Sequence, residues 1–94
     1  MNQYESVIII NPSVEEQGIK DLVKEFTDLI NQNGKVASVN ELGKRKLAYE
    51  IKKNKEGYYV VLEFEAKPDS IAELERNYRI NDNVIKFIVV KKED

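Results

Sequence analysis

The chain has no cysteine and no histidine among its 94 residues. Those two absences exclude disulfides, thiolate metal sites, cysteine nucleophiles, Ser-His-Asp triads and imidazole acid–base chemistry. Glycine is sparse as well. The four glycines, at 18, 34, 43 and 57, are too scattered to form a loop that cradles phosphate. Long apolar runs are missing too: the longest aliphatic stretch, Val7 to Ile10, is far short of the ~20 residues that cross a bilayer. The N-terminal MNQYESVIII has no basic segment and no small-residue cleavage site, so it does not read as a secretory signal, and a cytoplasmic location is expected.

What is present describes a folded domain. A mass of 10.9 kDa with 41% hydrophobic and 34% charged residues predicts a single globular domain over residues 1–94. A chain of this size buries roughly 60–65% of its unfolded surface, enough for one modest core.

Tyr4 to Ile10 is β-branched and apolar on both sides, which predicts a central strand ended by Asn11-Pro12. Ser13 with Glu16 has the spacing of a capping box. Ile19, Leu22, Val23, Phe26, Leu29 and Ile30 then form one helical stripe, and Gly34 after Asn33 is expected to close the helix in a left-handed conformation. Lys35 to Lys52 reads as a long second strand, with Leu47, Tyr49 and Ile51 on one face and Gly43 at a bulge. Asn54 to Gly57 is the expected hairpin turn into a third strand, Tyr58 to Ala66. After Lys67-Pro68, Asp69 or Ser70 caps a second helix to about Tyr78 with Ile71, Leu74 and Tyr78 inward. Val84 to Val90 is the last strand.

The order strand, helix, strand, strand, helix, strand predicts an α+β, ferredoxin-like split βαβ sandwich (βαββαβ). Right-handed crossovers put both helices on one face of a four-stranded antiparallel sheet, with the first and third strands central.

Many functions use this fold, so sites must decide between them. Glu63 and Glu65, at i and i+2 on one strand face, stand roughly 6.5–7 Å apart, within the range of paired catalytic carboxylates. A solvated strand face explains them better. An acylphosphatase-like reading would need a Gly-rich loop with an Arg after the first strand, where this chain has Asn11-Pro12-Ser13. The expectation is no catalysis, no cofactor and no metal.

A net charge of −2, taken as a total, disfavours nucleic acid, but the charge is segregated. Residues 1–34 carry two basic groups against six acids, and residues 35–55 carry seven basic groups against two acids. Residues 56–75 return to one against six, and residues 76–92 reverse again to five against one. Basic clusters of this kind are the footprint of phosphate contact. Gly57-Tyr58-Tyr59-Val60-Val61-Leu62 invites comparison with an RNA-recognition-motif strand. Glu56, Tyr59 and Val60 stand where that signature needs a basic, a small and a stacking residue. Glu41, Lys44, Arg45 and Lys46, in the middle of an expected edge strand, either block unwanted pairing or face a partner protein.

The stretch Leu42-Gly43-Lys44-Arg45-Lys46-Leu47-Ala48-Tyr49-Glu50-Ile51-Lys52-Lys53, followed by Gly57-Tyr58-Tyr59, resembles the bacterial small-subunit ribosomal protein six family. Leu74 to Phe87, with its Arg79-Ile80-Asn81-Asp82-Asn83 core, is similar to the same family, as are Tyr4-Glu5 and Pro12. Leu42 stands where members often carry Trp, and Asn2 and Gln3 where they often carry Arg. The resemblance implies a ribosomal protein that binds the central domain of small-subunit ribosomal RNA as a heterodimer with small-subunit ribosomal protein eighteen. It implies RNA contacts at Tyr4, Lys44, Arg45, Arg79, Asn81, Lys86, Lys91 and Lys92, and partner contacts at Glu41, Arg45, Lys46 and Tyr49. The other reading kept open is a free-standing ferredoxin-like domain that binds a protein or small ligand.

Overall fold

A computed structural model describes residues 1–92. Four strands, β1 (Asn2–Ile10), β2 (Gly34–Ile51), β3 (Asn54–Ala66) and β4 (Val84–Lys91), form one antiparallel sheet in the order β2-β3-β1-β4. Two helices, α1 (Glu16–Asn33) and α2 (Ile71–Ile80), complete the βαββαβ sequence, with a short 3-10 turn at Pro68–Ser70 before the second. The sequence-based fold is the observed one, with β1 and β3 central.

Side chains alternate across a strand, so β1 and β3 each offer two faces. One face, built from Tyr4, Ile8, Ile10, Val60, Leu62, Phe64 and Ala66, packs against Ile19, Leu22, Phe26 and Ile30 of α1 and Leu74 and Tyr78 of α2. Tyr78 lies at its centre with no exposed surface, edge-on to Phe26 at 4.8 Å and near Phe87 at 5.3 Å. Its hydroxyl accepts a 2.9 Å bond from the buried Ser6 hydroxyl.

Several local expectations are corrected. Ser13 does not cap α1: its N–H and Oγ both donate to Asn11 Oδ1, forming a turn that delays the helix to Glu16. Gly34 is extended (φ −173°), so it is not a left-handed stop. It is glycine because an added Cβ would meet the Glu65 carbonyl oxygen at 2.0 Å. The hairpin turns at Lys52-Lys53 rather than at Asn54 to Gly57, since Ile51 pairs with Asn54. Gly57 lies within β3 opposite Arg45, where a Cβ would meet Ile9 Cγ2 at 2.2 Å. Ser70 Oγ bonds back to the Lys67 carbonyl and makes no side-chain cap for α2. Gly43 does sit at a register shift, with φ +85°.

The largest irregularity lies between the pairs Lys46–Glu56 and Ile51–Asn54. Four residues of β2 there face only Lys55 of β3, so the end of β2 is too long to stay in the sheet plane. It curls over the face opposite the helices. Leu47 is buried there with Ile9 and Ile85, and Ile51 and Tyr59 pack around them. Leu47, Tyr49 and Ile51 therefore do not share one burial state, because Tyr49 remains 62% exposed.

Candidate nucleic-acid interface

The curl of β2 brings together two segments that lie on opposite edges of the sheet. Tyr49, near the hairpin tip, meets Lys86 of β4: the ammonium donates a 3.0 Å hydrogen bond to the tyrosine hydroxyl and lies 5.4 Å from its ring centre. The hydrogen bond to the Tyr49 hydroxyl raises the Lys86 pKa above the ordinary lysine value, which extends its cationic range further into alkaline pH. Beside this contact Lys52, Arg79 and Lys86 border a concavity of about 220 Å³ floored by Tyr78, Val84, Ile85 and Phe87. No carboxylate lines it. The Arg79 guanidinium lies 5.9 Å above the Phe87 ring, a cation–π placement that keeps its donor edges free. The basic segments 35–55 and 76–92 thus share one surface at this end of the sheet.

The remaining sequence-predicted residues are distributed differently. Lys44, Arg45 and Lys46 are exposed on β2 opposite Tyr58, Gly57 and Glu56. Glu41 accepts a 3.1 Å bond from the Tyr58 hydroxyl, which fixes that carboxylate on the edge strand. Asn81 is spent largely on structure: its N–H reaches the Tyr78 carbonyl, and its Oδ1 accepts from the Asn83 N–H at 2.9 Å. Lys91 is exposed at the far end of β4, about 17 Å from Lys86 by strand rise. Lys92 is ion-paired with Glu63. Tyr4 is only 6% exposed and stacks on Phe64 at 5.7 Å, and it lines a concavity of about 320 Å³ together with Lys35 and Lys92.

Among the described residues the ion pairs are Lys20–Glu16, Lys24–Asp28, Arg76–Glu73 and Lys92–Glu63. Lys44, Arg45, Lys46, Lys52, Lys53, Arg79, Lys86 and Lys91 are in none of them. Lys52 is the surface residue that site reasoning from sequence missed. Its membership in a basic block was visible, but its approach to Arg79 depends on the curl of β2.

Of the carboxylate pair Glu63 and Glu65, Glu63 has a structural occupation, while Glu65 is exposed. Glu63 accepts from both Lys92 and Ser38, and these bonds hold its pKa below the ordinary glutamate value. A carboxylate so stabilised as an anion is a poor general acid. The tyrosines of the RNA-recognition-motif-like stretch are divided between faces. Tyr58 packs toward the helical core, while Tyr59 lies under the hairpin tip. They do not form an open stacking platform.

A βαββαβ sandwich with a convergent cationic surface, and with Glu63 held as an anion by Lys92 and Ser38, defines a class: a small single-sheet protein that works through its charged surface. The particular family follows from its relatives. The family model described as "Ribosomal protein S6" matches residues 3–91. The small ribosomal subunit protein bS6 of Helicobacter hepaticus is 48% identical over 94 residues, spanning 99% of this chain and 69% of that protein. That of Halalkalibacterium halodurans is 45% identical over 95 residues, with both chains covered in full. The crystal structure of 30S ribosomal protein S6 from Thermotoga maritima superposes with a TM-score of 0.92 at 36% identity, covering 97% of this chain and 87% of that one. The chain belongs to the ribosomal protein S6 family of the small subunit. It is a ribosomal structural protein and not an enzyme.

Proposed function

We propose that this protein, acting as a single domain over residues 1–94, binds the central domain of small-subunit ribosomal RNA in the bacterial cytoplasm. It does so as a heterodimer with small-subunit ribosomal protein eighteen. The observation that carries this reading is the meeting of Tyr49 with Lys86, which joins two basic segments far apart in sequence into one cationic surface. Arg79, Lys86 and, at and just beyond the end of β4, Lys91 and Lys92 face the RNA, with Asn81 shaping the turn that precedes β4. Lys44 and Arg45 extend the basic surface along β2. Glu41, Arg45, Lys46 and Tyr49 meet the partner protein on the same edge strand, which has unpaired backbone groups of its own to offer.

The net charge of −2 explains why a partner is needed. Acids outnumber basic residues on α1 and β3 and repel RNA there, and the cationic patch alone neutralises few phosphates. Docking of a basic partner enlarges the patch. The test is to titrate a central-domain RNA fragment with this protein alone, with the partner alone and with both, over a salt series. Tight binding by the pair, with a steeper salt slope than either protein gives, is the expected result. Equal affinity for the protein alone and the pair would overturn the reading.

A further inference from the structure

The two-residue turn between β2 and β3 is built against its own conformational preference. A two-residue hairpin turn with positive φ at both central residues favours Asn-Gly, because those residues tolerate that conformation. Here the positions are Lys52 and Lys53, with φ of 49° and 66°. They are the only non-glycine residues with positive φ among those described. One local bond supports the turn, from Asn54 Nδ2 to the Lys52 carbonyl at 3.2 Å. Both side chains are exposed, and neither is in an ion pair among the described residues. Lys52 nevertheless converges with Arg79 and Lys86 on a concavity that no acid lines. Convergent cations repel one another, so an arrangement of this kind is stabilised by an anion that occupies it.

We propose that the Lys52-Lys53 turn is a phosphate-binding tip. It holds two adjacent lysines in the left-handed region, so that Lys52, which borders the concavity with Arg79 and Lys86, and Lys53, exposed next to it at the tip, meet one segment of RNA backbone. The inference rests on the RNA-binding reading above and adds to it a residue pair and a reason for the backbone strain. Stability is given up at the turn in exchange for charge at a rigid point. The bulge between Lys46 and Ile51 supplies the other half of the device, because it aims the tip across the sheet toward β4 rather than into solvent.

The experiment compares three proteins, each with its partner, on the central-domain RNA fragment. The Lys52→Asn/Lys53→Gly double variant has the preferred turn residues and no charge at the tip. It should melt at a higher temperature than the parent, bind RNA about tenfold more weakly, and lose roughly 1.5 from the log–log salt slope, as expected for two fewer phosphate contacts. The Lys52→Arg/Lys53→Arg variant keeps charge and strain and should bind like the parent. Unchanged RNA affinity and slope in the Asn-Gly variant, with the parent binding normally, would overturn this proposal alone. Absence of RNA binding by the parent pair would overturn the functional reading beneath it. A lowered melting temperature in the Asn-Gly variant would overturn the exchange of stability for charge. Inorganic phosphate, titrated against the hairpin amides by NMR, separates free phosphate from RNA. Shifts at millimolar phosphate that match those of RNA would overturn the assignment to an RNA segment.

Discussion

The ammonium of Lys86, on one edge strand, hydrogen-bonds the hydroxyl of Tyr49, on the other, at 3.0 Å. Two central strands lie between them in the sheet, so the contact exists only because β2 curls over. Replacing Tyr49 by Phe keeps the ring beneath the cation and removes one exposed acceptor that water replaces. Its expected cost in stability is about 0.5 kcal/mol or less. Tyr49→Ala removes the ring as well and should cost more than Tyr49→Phe, by a modest amount because the site is exposed. Denaturant midpoints for the two variants check this ordering, and equal losses would show that the ring contributes nothing. The raised Lys86 pKa gives the sign of the pH effect. The contribution is fully present at neutral pH and is lost as pH rises through the lysine's own titration.

Ser6 and Tyr78 form a buried pair with no other hydrogen bond for either hydroxyl among the described side-chain contacts. Burial pushes the Tyr78 phenol far above the ordinary tyrosine value, with the Ser6 donor acting the other way. Ser6→Ala or Tyr78→Phe alone should each cost about 1–3 kcal/mol, because each leaves a buried polar group unpaired. The double variant should cost less than the sum of the two, with a coupling of about 1 kcal/mol from a thermodynamic cycle. Strict additivity would mean that the bond contributes nothing.

Gly34 and Gly43 invert the usual expectation for glycine. Gly43 has φ +85° but nothing within 4 Å of an added Cβ, so Gly43→Ala meets only backbone strain of about 1–2 kcal/mol. Gly34 has ordinary extended backbone, yet its Cβ would collide with the Glu65 carbonyl oxygen and with Ala66. Backbone in a paired strand cannot step aside cheaply, so Gly34→Ala should cost about 3 kcal/mol, at the upper end for overpacking. Melting temperatures in the reverse order would refute the close-approach account.

Glu63 links the two edges of the sheet, accepting from Ser38 on β2 and from Lys92 just beyond β4. Its pKa is depressed first by the Lys92 bond, then by Ser38 and by the Lys92 charge. A depressed carboxylate stabilises the fold above its unfolded pKa and loses that contribution as pH falls through its folded value. Lys92→Ala should move the Glu63 carboxyl titration upward toward the ordinary glutamate range, and Ser38→Ala should move it less. Carboxyl carbon shifts followed by NMR measure this directly, and an unmoved titration in Lys92→Ala would remove the salt bridge from the account.

Much of this was legible in the chain as written. The helical stripe from Ile19 to Ile30 is buried at Ile19, Leu22, Phe26 and Ile30, and the alternation in β3 is buried at Val60, Leu62, Phe64 and Ala66. Arg79 and Lys86 could be singled out from charge blocks and family resemblance. Tyr4 could not be judged from its motif, because its position on the covered face of β1 follows from the pairing Tyr4–Phe64. Gly57 resembled a turn residue for the same reason: its composition context is polar, while its real neighbour is Ile9 on another strand.

Local periodicity and the order of elements were enough to determine the layered fold, since a strand or helix shows its buried face within a few residues. The alternating charge blocks likewise belonged to the sequence alone. Tertiary structure decided where the hairpin turns, how β2 bulges and which cations converge. A register shift costs no pattern within either strand and is chosen by what the displaced residues can bury. Here Leu47 found Ile9 and Ile85 across the sheet, and that packing carried Tyr49 to Lys86 and Lys52 to Arg79.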